Sequence, residues 1–396
     1  MQHVDPNLFA PKLAPRLRTA EGPCVTLVPG VSCAEGAVVI GGPDPNSWNL
    51  VDRTGAPILD GTTYRLGRHL YPRAVDAREL ADGQTLSGTW LYAGDYWNHF
   101  GHFLFESLAR IWVMEHLDLK LDGILYVWPR HGAAAQCRDD GFQRDLLRRC
   151  GADLPVRIVN ETTRVERLVV PRQGCGLGPM AAGTPEFRSF IRERLRAGIR
   201  PGSHRKLYLS RAGYWLRRGG HFDEERLTKL LVNEGYHEFR PEKYSLSEQI
   251  AAYMGAEKIV APDGSALHLV AFVAEPEQRV AVILRRHDGG KDIVPNLTGC
   301  MGRAPLVIDK IDRFHRRTDM KNPNWNCFAE LELQAVGADL HSEGFIDAPH
   351  HWQTIRHRRR QRLLAQYGAK LSCSFRTEEL NEDALTEFPD GTAPAE

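Results

Sequence analysis

Residues 95–110 (DYWNHFGHFLFESLAR) bring a histidine, a carboxylate and an arginine into one repeat. His102, Glu106 and Arg110 are spaced by four, and residues four apart share a helix face. Asn98 or His99 precedes them by one turn. Leu104, Leu108 and Ile111 fill the opposite face, which marks that side as buried. An imidazole beside a carboxylate makes a general base with a partner, and an arginine one turn on would orient it or balance its charge. Read plainly, the same stripe is a groove wall of mutual ion pairs. His99 and His102 form an H-x-x-H pair, a weak metal motif without a third ligand.

A second group lies in residues 206–225 (KLYLSRAGYWLRRGGHFDEE). A short apolar strand ends there, and Ser210 and Arg211 follow at its carboxyl end, where open α/β sheets bind ligands. Arg217 and Arg218 come next in a glycine-containing loop. Three arginines near one strand end suit a diphosphate, which guanidinium groups bind in bidentate fashion. A third group, residues 261–272 (APDGSALHLVAF), runs from a strand through Asp263 and Gly264 straight into a helix. Gly264 allows close backbone approach, and the N–H groups of Ser265, Ala266 and Leu267 form the open end of that helix, a phosphate cradle without the Walker lysine. Asp263 suits a ribose or sugar hydroxyl better than an anion. Glu242, in the preceding strand-to-helix loop, is a candidate ribose contact. Glu248 is explained by a capping box with Ser245.

The elements that must position these groups can be read from periodicity. The first half alternates strands and helices: short strands and turns over 1–90, a helix over 98–117, a buried strand over 124–128, a helix over 142–149, and strands over 156–159 and 167–170. A Gly- and Pro-rich stretch at 171–185 and a second break at 198–202 bracket a charged helix, and the domain boundary is placed between them. The second half predicts β-α-β-α-β-α-β over 206–284, hence a parallel sheet with right-handed crossovers, a Rossmann-like domain. The expected organisation is an α/β domain over 1–185, a Rossmann-like domain over 203–310, an extension with a basic helix over 311–376, and an acidic mobile tail over 377–396.

The 396 residues carry 51 Lys and Arg against 50 Asp and Glu, a net charge of +1. That balance gives no global pull toward nucleic acid, so the basic run 356–362 (RHRRRQR) reads as a solvated helix face or a weak contact with anionic lipid. A mean hydropathy of −0.38 and the lack of an apolar run near 18 residues predict no transmembrane helix. The N-terminal residues, with proline and charge, do not look like a secretory signal. The eight cysteines show no C-x-x-C and no zinc spacing. Together these features predict a cytoplasmic protein with reduced thiols and no metal site.

Taken in order, the three segments resemble glycosyltransferase family 61, a group that includes capsular polysaccharide enzymes. The first resembles that family's helix with His99-Phe100-Gly101-His102-Phe103-Leu104-Phe105-Glu106-Ser107-Leu108-Ala109-Arg110. The second resembles its Y-x-S-R strand end, and the third its E-Q block with Gly264-Ser265-Ala266-Leu267-His268. The chain departs from the family pattern at His99, Asp263 and Leu269. The resemblance implies a GT-B-like α/β architecture of two Rossmann-like domains facing across a cleft. It implies an inverting, metal-independent transfer from a nucleotide-sugar co-substrate, a UDP-sugar first, to a glycan acceptor, with no cofactor. His102 or Glu106 would be the base. Two alternatives remain: a non-catalytic glycan- or nucleotide-binding protein that kept the fold, and a different GT-B enzyme such as an epimerase.

Overall fold

The computed structural model describes residues 24–28, 30–41, 48–65, 68–76, 80, 83–130, 136–212, 219–319 and 327–379. The chain divides into two compact units, with the main division between Ala197 and Gly198. Arg217, Arg218 and most of the acidic tail lie outside the described residues.

The first unit is built on a seven-stranded sheet of order β1-β2-β9-β6-β7-β8, with β3 on β2. These strands are Cys24–Val28, Val31–Ile40, Thr163–Pro171, Gln84–Asp95, Gly123–Val127, Val156–Val159 and Asn49–Val51 respectively. The run β9-β6-β7-β8 is parallel, while β2 joins β9, β1 and β3 antiparallel. This mixed sheet differs from the expected Rossmann-like pattern. Strand β7 is buried along its whole length, as its unbroken apolar run requires. The sheet is curled: the Trp48 indole N–H, beside β3, donates to Trp128 O at 3.2 Å, just past the end of β7. A Cβ at Gly41 would lie 2.8 Å from both Trp48 and the Glu161 backbone, so glycine permits that closure. Val39, Leu50, Tyr92, Leu125, Val127 and Leu168 pack together in one core cluster. A two-stranded ribbon, β4 (Thr63–Arg65) with β5 (Arg68–Leu70), accompanies the sheet.

The expected long helix over 98–117 is broken into pieces. A single α-turn, α1 (Phe100–His102), passes into a π-helix over Phe103–Ser107, and a 3-10 helix follows over Ile111–Glu115. The Leu108 N–H reaches back five residues to Phe103 O at 3.0 Å. Ser107 causes part of this, because its hydroxyl donates to Asp95 O at 2.7 Å and accepts from Trp97 N at 3.1 Å. The turn is thereby fastened to the end of β6 rather than left to propagate. Two regular helices, α2 (Phe142–Arg149) and α3 (Pro185–Arg196), complete the unit.

The second unit holds a five-stranded, wholly parallel sheet of order β12-β10-β13-β14-β15. Its strands are His237–Phe239, Lys206–Leu209, Lys258–Pro262, Arg279–Ile283 and Leu306–Ile308. Helices α4 (Glu224–Asn233), α5 (Leu246–Gly255), α6 (Ala266–Val273) and α7 (Ile293–Met301) make the crossovers. The Ser245–Glu248 capping box opens α5. Numbered locally, the strand order is 2-1-3-4-5, so the order reverses between β10 and β13. That crevice is the topological switch point at which such sheets take ligands.

The stretch after 308, expected to be irregular before the basic helix, forms a second, mixed sheet. Its order is β11-β17-β16-β18, from Gly220–His221, Phe328–Leu331, Ile311–Arg317 and Phe375–Glu379. Helices α8 (Leu333–Ser342) and α9 (His357–Leu371) accompany it. Tyr208, Val260 and Ile283 of the parallel sheet share one core cluster with Phe328, Val336, Trp352 and Tyr367. The basic run is therefore only partly a solvated face. Arg359 makes two bonds to Asp223, at 2.5 and 2.8 Å, and Arg360 makes two to the buried Glu330, at 2.7 and 2.6 Å. No helix among the described residues is long and apolar enough to cross a membrane.

Candidate active site

In the first unit, His102 and Glu106 meet. Nδ1 of the imidazole lies 2.6 Å from Glu106 Oε2. The carboxylate can only accept, so the ring N–H is on Nδ1 and donates. The other carboxylate oxygen, Oε1, is paired with Arg65 Nε at 3.1 Å. Glu106 is thus engaged on both sides and its side chain is 5% exposed, whereas His102 is 32% exposed. The Trp97 ring lies 5.1 Å from His102, and the Arg65 guanidinium stands 4.3 Å over Trp97. Arg65 and Trp97 are part of the site that the sequence reading missed. Their link to residue 106 depends on the β4 ribbon and the end of β6, which no local spacing reveals. His99 is 5.2 Å from His102, ring to ring. No group of three metal-ligating side chains gathers among the described residues.

Arg110 does not join this pair. The π-turn and the turn after it rotate residue 110 off the stripe, and its guanidinium is buried. It donates to Asp60 O at 2.8 Å, Gly61 O at 3.2 Å, Thr62 O at 2.7 Å and Pro171 O. Burial holds its pKa below the ordinary arginine value. Arg110 stitches the 60–62 turn to the end of β9, and Arg65 takes the charge-balancing place expected of it.

In the second unit the predicted residues gather along the carboxyl edge of the parallel sheet. Arg211 follows β10, Glu242 follows β12, and Asp263 to Ala266 follow β13. A Cβ at Gly264 would lie 3.1 Å from Arg211 Nη1, so the glycine makes room for the guanidinium at the switch point. The Arg211 N–H donates to Glu224 Oε1 at 2.6 Å, while its own Nε is buried without a partner. Burial, reinforced by Arg285, pushes the Arg211 guanidinium down to about 10. Glu224 also accepts from the Tyr208 hydroxyl at 3.2 Å, and burial pushes its carboxyl up. Both carboxylate oxygens of Glu242 are buried and unpartnered among the described residues.

Asp263 faces inward. Its oxygens accept from Arg285 N and from Arg285 Nη2 at 3.1 Å, and Arg286 Nη2 lies 3.6 Å away. Burial alone would raise its carboxyl, but Arg285 and Arg286 outweigh that and hold it below the usual carboxylate range. Asp263 is therefore occupied by arginines and is not turned toward a sugar hydroxyl. Arg285 and Arg286, absent from the sequence expectation, follow β14 on the same edge. The signal was the dipeptide at a strand's carboxyl end. The Leu267 N–H is taken by Gly264 O at 3.0 Å and the His268 N–H by Ser265 O at 3.2 Å. Ser265 and Ala266 are left to offer their N–H groups. The His268 ring bonds Asn296 Oδ1 at 3.0 Å and ties α6 to α7. The Ser210 hydroxyl accepts from Ala212 N at 3.2 Å and shapes the turn after β10.

One cluster thus offers an oriented imidazole and the other a partly unsatisfied cationic group on a backbone turn. The first suits deprotonation of a hydroxyl, and the second suits an anionic leaving group. No curated protein matches the chain. Residues 100–281, which carry His102, Glu106, Arg211, Glu242 and the Asp263–Ala266 turn, match the family Glycosyltransferase 61, so this part of the chain is similar to that family.

Proposed function

We propose that this protein is an inverting glycosyltransferase moving a sugar from a nucleotide-sugar, a UDP-sugar first, to a hydroxyl of a glycan acceptor. One observation carries the reading: the buried Arg211 guanidinium beside Gly264 has an unpartnered Nε and a like charge, Arg285, near it. A buried donor without a partner is costly, and crowded cations stabilise a bound anion. The diphosphate of a nucleotide-sugar supplies both the acceptors and the charge. Arg285, Arg286 and the N–H groups of Ser265 and Ala266 support the same ligand. The two unpartnered Glu242 oxygens suit the hydroxyls of a ribose.

In this reading His102 Nε2 removes the acceptor proton. The acceptor oxygen attacks C1 of the sugar from the face opposite the diphosphate, the C1–O bond breaks, and the nucleoside diphosphate leaves. Glu106 positions the imidazole and stabilises the cation it becomes. Arginine donors at the leaving group perform the charge neutralisation that a bound metal performs elsewhere, so the reaction is proposed to be metal-independent. The reading carries a GT-B-like division of labour, one unit for each substrate. A cytoplasmic setting rests on the sequence expectation, and a place in surface polysaccharide synthesis rests on the family alone.

Thermal stabilisation by UDP, GDP, CMP, dTDP and their sugars tests this directly. A selective shift that Arg211→Ala reduces is expected, followed by release of free nucleoside diphosphate in the presence of acceptor. A nucleotide-sugar converted with its sugar still attached would instead mark an epimerase. No shift with any nucleotide would remove the donor site.

A further inference from the structure

At the curled sheet of the first unit lies a small hollow with aromatic walls, Trp48, Tyr71 and Tyr92, and a polar rim of Asn49, Thr63 and Asp95. All six precede residue 100, where the family match begins. The hollow is therefore built mostly by the part of the chain before that match, with Val127 of β7 lining it from within the matched residues. Its volume is about 20 Å³, room for one water or one hydroxyl and not for a whole sugar ring. Tyr71, by contrast, is 60% exposed, a large aromatic face left in water at the edge of the hollow.

The surroundings hold this face in place. Tyr64 meets Tyr71 edge-on with centroids 6.0 Å apart. The Asn49 amide donates to Arg73 O at 2.8 Å and accepts from Arg73 N at 2.9 Å, which clips the segment carrying Tyr71 to β3. Trp48 is fixed by its bond to Trp128 O. The hollow also adjoins the His102–Glu106 pair through two short pieces of chain. Thr63 lines the hollow and Arg65, two residues on in β4, holds Glu106. Asp95 lines it and Trp97, two residues on, packs against His102.

An exposed, pre-positioned aromatic face beside a hydroxyl-sized polar hollow matches one chemistry well. The C–H face of a pyranose packs on an aromatic ring, whose π face is negative, while one hydroxyl is received by carboxylate and hydroxyl acceptors. We infer that Tyr71 and the Asn49–Thr63–Asp95 hollow form a monosaccharide subsite, which binds the acceptor glycan by stacking one sugar on Tyr71 and inserting one hydroxyl. The inference deepens the transferase reading and rests on it only for the name acceptor. Sugar binding here is a separate property.

Saturation-transfer NMR tests it with the methyl glycosides of glucose, galactose, mannose, N-acetylglucosamine, xylose and rhamnose at millimolar concentration. At least one is expected to show transfer strongest at its ring C–H protons. Tyr71→Ala should weaken that binding by about tenfold, Tyr71→Phe should keep it, and Arg211→Ala should leave it unchanged. Tyr71 is exposed, so the alanine variant should melt like the parent chain. Absence of transfer from all six glycosides, or transfer that Tyr71→Ala leaves intact, overturns the subsite. Tyr71-dependent binding in a protein that no nucleotide stabilises would keep the subsite and remove the transferase reading. The reverse result would remove the subsite alone.

Discussion

Arg285 meets Asp263 three times. Its backbone N–H donates to one carboxylate oxygen, its Nη2 donates to the other at 3.1 Å, and its Nε donates to the Asp263 carbonyl at 2.9 Å. The carboxyl edges of two neighbouring strands, β13 and β14, are locked together by this set. The lock leaves Arg286 at 3.6 Å from the same carboxylate, with Arg285 close enough to disfavour the charge of Arg211. Asp263 thus holds Arg285 and Arg286 along this edge, and with the buried Glu224 it favours the charge of Arg211. Removing the anion leaves buried cations uncompensated, which typically costs about 3–5 kcal/mol.

Asp263→Asn is the direct test. The amide keeps the shape and loses the charge. Urea unfolding at neutral pH should show a loss of about 3 kcal/mol, and nucleotide-dependent stabilisation should fall in any protein that still folds. An unchanged unfolding midpoint would mean that the arginines do not depend on Asp263.

His102 and Glu106 make different predictions. Glu106 is walled in by Arg65 and His102, whereas the imidazole is more exposed, so in the proposed mechanism Glu106 orients and His102 reaches the substrate. His102→Ala should lower turnover by about 100- to 10,000-fold with the nucleotide affinity unchanged, and added imidazole should restore part of it. Glu106→Gln can present an amide N–H to Nδ1 and favour the wrong tautomer, so it should lower turnover as well, without imidazole rescue. Turnover by His102→Ala within threefold of the parent would sink the assignment of the base.

The sequence made one of these clusters more legible than the other. In the second unit, regular β-α alternation predicts the parallel sheet, and a parallel sheet dictates that Arg211, Glu242 and Gly264 share an edge. Arg285 and Arg286 sit on that edge for the same reason and could have been named with them. In the first unit, a spacing of four was read as a continuous helix. That spacing holds from His102 to Glu106 and fails at Arg110, because Ser107 bonds the end of β6 and a π-turn replaces the regular ladder. Arg65 and Trp97 reach the pair through tertiary structure, which periodicity does not encode. The four-stranded sheet, three of whose strands follow residue 308, was missed for a related reason: its strands Ile311–Arg317 and Phe375–Glu379 are charged and lack apolar alternation. Their stability comes from pairs such as buried His315 with Glu330, 2.9 Å apart.

Arg110 separates a structural arginine from a functional one. It donates to the carbonyls of Asp60, Gly61, Thr62 and Pro171. A lysine has one compact charge and cannot span that arc. Arg110→Lys should therefore destabilise the protein by about 2–4 kcal/mol, since each orphaned buried carbonyl costs about 1–3 kcal/mol. Chemical denaturation gives the number directly. A lysine variant with parental stability and lost turnover would return Arg110 to the catalytic apparatus.

His221 supplies the pH dependence. It lies at the carboxyl side of the second unit, with Nε2 donating to Leu284 O at 3.2 Å. Burial, aided by the Arg285 charge, pushes the imidazole down to about 4, against about 6.5 for an unfolded histidine. Above pH 6.5 both states are neutral and the group has no effect. As the pH falls from 6.5 toward 4, the unfolded chain takes up a proton that the native state refuses, so stability declines. The full loss, reached near pH 4, is about 3 kcal/mol. His221→Gln keeps a side-chain N–H for Leu284 O and has no titration. Urea melts at half-unit steps from pH 7 to 4 should show the parent losing about 3 kcal/mol more than this variant over that window. Parallel curves would mean that His221 titrates normally and that its burial is relieved in solution.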